Sequence, residues 1–272
     1  MAPRDPIGVF DSGVGGLSIL QAIRQALPGE TAIYLADQAH VPYGPRRLEE
    51  VRSFASGITR YLLDQGAKLI VVACNAASAA ALHALRQAFP VVPFVGMEPA
   101  VKPAAEITQT GVVGVLATPA TFQGALYASV VERFASGVKL LPHTCPGLVA
   151  QIEAGRLDSP ETTAILEAAL QPMLSQKIDT IVLGCTHYPF VIPQIRAIAG
   201  PGVRVIDPAP AVARQVKRVL AAKGLLNPGP GGPARFLTTG SPACLERLLP
   251  QLLGESAAVQ GLSWTAGVLQ DR

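Results

Sequence analysis

Two cysteines occupy matching places in this chain. Cys74 closes the run Lys68-Leu-Ile-Val-Val-Ala-Cys74-Asn75, and Cys185 closes Asp179-Thr-Ile-Val-Leu-Gly-Cys185-Thr186. In each, a short run rich in Ile, Val and Leu leads through one small residue to the thiol and then to a small polar residue. An apolar run of this length without alternation reads as a buried parallel strand. Open α/β sheets bind ligands just beyond the carboxyl ends of such strands. Both thiols therefore fall where chemistry is done, 111 residues apart (185 − 74). A free thiol ionises near about pH 8.5, so it can serve as acid or base close to neutrality. Each cysteine also precedes a predicted helix start, which favours the thiolate. One thiol on each side of a bound carbon could take a proton from one face while the other delivers one to the opposite face. That is the chemistry of racemisation at an α-carbon.

The elements that must position the thiols follow from the rest of the chain. Pro6–Asp11, a glycine loop Asp11-Ser-Gly-Val-Gly-Gly16 and a helix carrying Leu17, Leu20, Ile23 and Leu27 open it, with Pro28-Gly29 ending the helix. A strand over 31–36, a Pro-broken loop at Val41–Pro45, a helix over 47–65, the Cys74 strand, an Ala-rich helix over 76–88 and a strand over 91–95 follow. This βαβα order predicts a parallel sheet wrapped by helices. The pattern then restarts. Gly114 answers Gly8 at an offset of 106, and Val203–Ile206 and Pro210-Ala-Val212 answer Val92–Val95 and Pro99-Ala-Val101 at the 111 of the cysteines. Two offsets imply a small insertion in the second copy. The second copy is read as a strand near 139, helices over 151–155 and 159–175, and the Cys185 strand. Beyond it, 211–220 and 242–253 read as helices and 234–239 as a strand. The expected fold is α/β: two similar lobes with mainly parallel central sheets, related by a pseudo-two-fold internal duplication, with the active site in the crevice between them.

Composition bounds the function. At 272 residues, 49% apolar and 15% charged, the chain holds ample core for two lobes. A formal charge of +3 and the lack of any basic block beyond Arg46-Arg47 speak against nucleic acid as a partner. The apolar region 69–85 is interrupted by Asn75, Ser78 and His83, so no membrane span is expected. Met1–Pro6 is polar and runs straight into a strand, so no signal peptide is expected; four cysteines then suggest free thiols in a reducing, cytoplasmic setting.

Other chemistries fit the residues less well. A metal site from Cys74, Cys185 and His187 lacks paired-ligand spacing, and a redox dithiol lacks a C-x-x-C. The glycine loop lacks a P-loop lysine, and Ser18 stands at its third G-x-G-x-x-G position, so a nucleotide phosphate is poorly supported. It reads either as a tight βα turn or as a set of backbone N–H groups for a carboxylate, with Asp11 and Ser12 facing the crevice. Cys145 and Cys244 have no matching partners and read as structural; His40, His83 and His143 read as non-catalytic.

The segments Asp11-Ser-Gly-Val-Gly-Gly16, Pro42-Tyr-Gly44, Ala73-Cys-Asn75 and Gly184-Cys-Thr-His-Tyr-Pro189, in this order, resemble the cofactor-independent glutamate racemases of the aspartate/glutamate racemase superfamily. The resemblance runs over nearly the whole chain. It implies interconversion of L- and D-glutamate for bacterial peptidoglycan, with no cofactor and no metal, usually in a homodimer. It implies that Cys74 acts on D-glutamate and Cys185 on L-glutamate, with Asp11, His187 and Glu153 as assisting groups. Substrate contacts are expected from Asp11, Ser12, Pro42, Tyr43, Gly44, Asn75, Ala76, Thr118, Thr121, Thr186, His187 and the two thiols. The tail is expected to return to the first lobe, giving a first lobe of 1–98 completed by 209–272 and a second of 99–208. One departure stands out: the family's Thr after Cys-Asn is Ala76 here, and Ser78 is the nearest candidate to supply the missing hydroxyl. The alternatives are a racemase for aspartate and a bilobed carboxylate-binding protein without chemistry.

Overall fold

The computed structural model describes residues 1–272. The first repeat runs β1 (Ile7–Asp11), α1 (Leu17–Ala26), β2 (Ala32–Ala36), α2 (Leu48–Asp64), β3 (Leu69–Val72), α3 (Asn75–Ala88), β4 (Phe94–Gly96) and α4 (Val101–Ile107). The second runs β5 (Val112–Ala117), α5 (Pro119–Gln123), α6 (Ala125–Phe134), β6 (Lys139–His143), α7 (Leu148–Glu153), α8 (Pro160–Leu174), β7 (Thr180–Gly184), a 3-10 turn at Tyr188–Val191, α9 (Ile192–Ala199) and β8 (Arg204–Ile206). The tail adds α10 (Ala209–Ala222), β9 (Arg235–Thr238), α11 (Pro242–Leu253), β10 (Val259–Thr265) and β11 (Val268–Asp271).

Every residue of β1, β2, β3 and β7 is buried. That is why these segments read as unbroken apolar runs: helices cover both sheet faces. The first sheet has the order β11-β10-β9-β2-β1-β3-β4 and the second β6-β5-β7-β8. All pairings are parallel except the β10–β11 hairpin. The order β2-β1-β3-β4 thus recurs as β6-β5-β7-β8, and the register recurs with it. Gly8 lies opposite Ile70, and Gly114 lies opposite Ile181. The offsets 114 − 8 = 106 and 181 − 70 = 111 are those of the sequence repeats. The chain is therefore a duplicated two-lobed α/β fold, and the extra five residues enter between β5 and β7.

The tail strands β9 and β10 extend the first sheet beyond β2. One apolar core runs from Leu17 and Leu20 of α1 through Val216 and Leu249 of the tail helices to Leu148, Ile152 and Leu170 of the second repeat. The two sheets are thus joined by shared packing as well as by the chain. No helix is long and apolar enough to cross a membrane.

Local differences from the sequence reading have physical causes. The strand expected over 91–95 begins only at Phe94, because Val91 is exposed and Pro93 has no N–H for a ladder. The β10–β11 hairpin was not anticipated. Its turn residues Ala266 and Gly267 both have positive φ (49° and 80°), and alanine is a poor signal for such a turn.

Candidate functional site

In each repeat the strand order reverses between the first and third strands, β1 and β3 in one, β5 and β7 in the other. Ligands in doubly wound sheets bind at this switch point. The segments that leave these four strands carry Ser12, Cys74, Thr118 and Cys185, and they converge on one cleft. The first repeat lines it with Ser12, Pro42, Tyr43, Gly44, Cys74, Asn75 and Ala76; the second contributes Thr118, Val149, Cys185, Thr186 and His187. Both thiols face the same space.

Around Cys185 the side chains form a relay. Its sulfur lies 3.7 Å from His187 Nδ1, and His187 Nε2 lies 2.6 Å from Glu153 Oε1. Glu153 ends α7 and reaches across to the first repeat, where Val14 N–H donates to Oε1 at 2.7 Å and Gln38 Nε2 to Oε2 at 3.0 Å. Burial by itself would lower the His187 pKa. The hydrogen bonds and charges of Cys185 and Glu153 outweigh it and hold His187 well above its ordinary value. Burial likewise pushes Glu153 up, but His187, Gln38 and Val14 bring it below the ordinary carboxylate value. Glu153 and His187 are an ion pair at neutral pH.

Cys74 has a different setting. It is the N-cap of α3, where Ala77 N–H donates to its sulfur at 3.5 Å, and its thiol donates to Ser12 Oγ at 3.9 Å. The helix start was expected to favour the thiolate. Burial overrides it: desolvation, with the Asp11 charge adding, raises the Cys74 pKa far more than the single N–H lowers it. Asp11 stands behind the cleft wall. Its carboxylate accepts from Gly13 N–H at 3.0 Å and from Thr186 Oγ1 at 3.1 Å, and burial raises its pKa as well. The Thr186 bond joins the β1 and β7 loops across the cleft.

The remaining predicted residues are placed as follows. Asn75 is buried in the lining, and neither its Oδ1 nor its Nδ2 has a hydrogen-bond partner. A buried amide without partners is costly, so Asn75 is set to receive a polar ligand. Thr118 lines the cleft, whereas Thr121 lies behind it, 3.2 Å from the Thr118 hydroxyl. Tyr43 presents no hydroxyl to the cleft: that group donates to Asp37 at 2.6 Å. Ser78 does not replace the hydroxyl that Ala76 lacks. Its Oγ donates to Val72 O and accepts from Met97 N, each at 2.9 Å, which commits it to the backbone at the ends of β3 and β4. The glycine loop does hold carboxylates, but they are the protein's own Glu153 and Asp11.

The loop's glycines are needed for close approach. A Cβ on Gly13 would overlap the Glu153 carboxylate, and one on Gly15 the His187 ring and the Thr186 hydroxyl. Gly15→Ala should therefore displace His187. We expect a loss of about 1–3 kcal/mol in stability, the usual cost of overpacking, with activity falling more than tenfold. Urea denaturation beside a rate assay checks this, and an unchanged rate would show that the ring has room to move.

Sequence reasoning missed Val149 in the lining and a polar node behind Tyr43. Buried Asp37, at the end of β2, accepts from Tyr43, from Thr239 Oγ1 at 2.7 Å and from Trp264 Nε1 at 2.8 Å, with His40 Nδ1 at 2.9 Å. Its position at a strand end was a usable signal. Thr239 and Trp264 gave none, since β9, which Thr239 follows, and β10, which holds Trp264, come beside β2 and β9 only in three dimensions.

The fold and site define a class: doubled α/β enzymes with one thiol at each of two facing switch points. Known proteins agree. Residues 7–216 match the family model described as Asp/Glu/Hydantoin racemase. A glutamate racemase of Roseiflexus sp. (strain RS-1) is 53% identical over 249 residues, covering 91% of this chain and 92% of that protein. The crystal structure of a glutamate racemase isoform from Bacillus anthracis superposes with a TM-score of 0.86 at 35% identity, covering 98% of this chain and 99% of that one. That of Francisella tularensis glutamate racemase in complex with D-glutamate gives 0.82 at 30% identity, covering 94% and 96%. The chain belongs to the Asp/Glu/hydantoin racemase family.

Proposed function

We propose that this protein interconverts L- and D-glutamate by a two-base mechanism, with Cys74 acting on the D-enantiomer and Cys185 on the L-enantiomer. The observation that carries the reading is the pair of thiols, one from each repeat, lining a single cleft. Their settings are complementary. Cys74 is held as a thiol by burial beside Asp11, ready to donate. Cys185 sits 3.7 Å from the His187 ring, whose far nitrogen is held by Glu153, so its proton has a neighbouring group to pass to. In the L-to-D direction Cys185, with His187 and Glu153 behind it, takes the proton from L-glutamate, and Cys74 delivers one to the opposite face. In the reverse direction Cys74 must ionise, and the substrate assists. A unit positive charge about 4 Å away is worth about 4 kcal/mol at an effective dielectric constant of about 20, so the α-ammonium offsets much of the desolvation of that sulfur. Asn75, Ser12, Thr118, Thr186 and the Pro42–Gly44 loop hold the substrate's carboxylates and ammonium, and Thr121 steadies Thr118. The chemistry proceeds on the protein's own side chains, with no cofactor and no metal.

The relatives matched over nine-tenths of their length are glutamate racemases, which favours glutamate over aspartate and catalysis over mere binding. The product would supply D-glutamate to peptidoglycan synthesis. The four cysteines, all unpaired, suit the reducing cytoplasm. Resemblance to the family supports a homodimer, with lobes of 1–98 plus 209–272 and of 99–208.

The deciding experiment is circular dichroism of D-glutamate incubated with the pure protein in D2O, beside D-aspartate. Loss of signal for glutamate, with deuterium at the α-carbon, is the expected result. Change with aspartate alone would replace the substrate, and no change with either would overturn the reading. The Ala76 departure gives a finer prediction. Ala76→Thr returns a hydroxyl to the cleft wall and should lower the KM for glutamate about twofold to tenfold, the range of one hydrogen bond of ~0.5–1.5 kcal/mol. An unchanged KM would mean that the hydroxyl has no carboxylate to meet.

A further inference from the structure

We infer that Gln38, held by Thr238 of the tail strand, is the positioning residue that keeps the Glu153 carboxylate aimed at His187. This deepens the proposed mechanism and rests on it. Gln38 Nε2 donates to Glu153 Oε2 at 3.0 Å, while Gln38 Oε1 accepts from Thr238 Oγ1 at 2.8 Å. Thr238 Oγ1 in turn accepts from Gly240 N–H at 3.0 Å. An amide has two orientations of similar shape, and its neighbours must choose between them. Here both ends choose the same one. The Thr238 oxygen already receives an N–H, so its hydrogen is free to point at the Gln38 oxygen. The opposite orientation would set the amide oxygen against the Glu153 carboxylate, lone pairs facing lone pairs. The NH2 is therefore directed at Glu153.

The consequence runs from the tail to the chemistry. Gly240 N–H, Thr238, Gln38, Glu153, His187 and Cys185 form one continuous set of hydrogen bonds and close polar contacts. β9 is the strand beside β2 in the first sheet, yet the thiol at the far end of the relay belongs to the second repeat. One role of the tail is thus to orient the base of the lobe to which it does not belong. The amide is the neutral support of Glu153. The ionisable groups that feel the Glu153 charge are His187, Asp11 and Tyr34, and of these only the His187 cation favours its ionised form.

The test reads His187 directly, by NMR titration of its ring in the protein without substrate, and the rate separately. In Gln38→Leu the His187 midpoint should fall, because a less stabilised Glu153 anion supports the imidazolium less. The value of kcat should fall about tenfold, as for loss of a hydrogen bond to a charged group, with KM within twofold of the wild type. Thr238→Val frees the amide to turn and should move both readouts the same way by less. Gln38→Glu keeps the shape: protonated, it still donates to Glu153, and ionised, it repels it. Its rate should therefore fall through a titration that the wild type lacks. A His187 midpoint unmoved by Gln38→Leu, or a Gln38→Glu profile that superimposes on the wild type, would overturn the inference. Should Gln38→Leu fail to fold, Thr238→Val decides by the same titration. The NMR arm needs no turnover, so a protein that leaves glutamate unchanged would sink the proposed function while this arm still judged Gln38.

Discussion

Serine in place of either Cys74 or Cys185 should reduce racemisation of glutamate by about 10³-fold or more, within the range for loss of a positioned acid or base. A hydroxyl ionises far above a thiol, so the substituted face loses its base entirely while the shape of the cleft barely changes. The enantiomers have equal free energies, so within each variant kcat/KM must fall equally in both directions, and racemisation alone does not tell which face has lost its base. They separate in exchange. Under the proposed mechanism, Cys185→Ser retains Cys74 on the D face and should wash deuterium into D-glutamate without inverting it. Cys74→Ser should do the same for L-glutamate. Proton NMR of each enantiomer in D2O, beside circular dichroism, reads both effects. Either single variant racemising within tenfold of the wild type would show that its thiol is not a required base. Exchange of the opposite enantiomers would keep the mechanism and reverse the assignment of faces.

Glu153→Gln should lower kcat by about 100-fold, toward the lower end of what acid–base machinery contributes. The sign of its pH effect follows from the ion pair. In the wild type, Glu153 and Cys185 raise His187 well above its ordinary value, and His187 helps to lower Glu153. The pair is intact above the depressed Glu153 titration and is lost as pH rises through the elevated His187 titration. The kcat/KM profile should therefore hold level across neutrality. Removing the carboxylate charge takes away one of the two supports of the imidazolium, so the alkaline limb should move to lower pH. Either Val14 N–H or Gln38 Nε2 can still meet the single amide oxygen, but the amide nitrogen would then face the other donor. A rate profile of the variant that keeps its alkaline limb would mean that His187 takes its charge from Cys185 alone.

Much of the fold was legible because the strands here are buried on both faces. Burial on two faces writes an unbroken apolar run, and the runs ending in Cys74 and Cys185 carry their register in plain sequence. The duplication was legible for the same reason, since Gly8 and Gly114 must each pack against the isoleucine of the neighbouring strand. The hairpin Val259–Asp271 was not legible, because half-exposed edge strands with an Ala-Gly turn carry neither an apolar run nor a standard turn signal. Residues at the strand ends, Asp11, Ser12, Cys74 and Cys185, could be named as site candidates from position alone. His187 stood out only as a polar follower of Cys185, and Glu153 could be named only through resemblance, because nothing in their local sequence states that they meet.

The sequence by itself determined the class of fold, the repeat, and the two thiols that end equivalent strands, since these are properties of local periodicity and spacing. Tertiary structure decided the partners. It placed Glu153 on the glycine loop, committed Ser78 and the Tyr43 hydroxyl away from the cleft, left Asn75 without partners, and brought Thr238 to Gln38. The physical reason is that a polar side chain's role is set by which donor or acceptor lies within about 3 Å of it. For residues separated by 115 or 200 positions, only the packing of two sheets determines that.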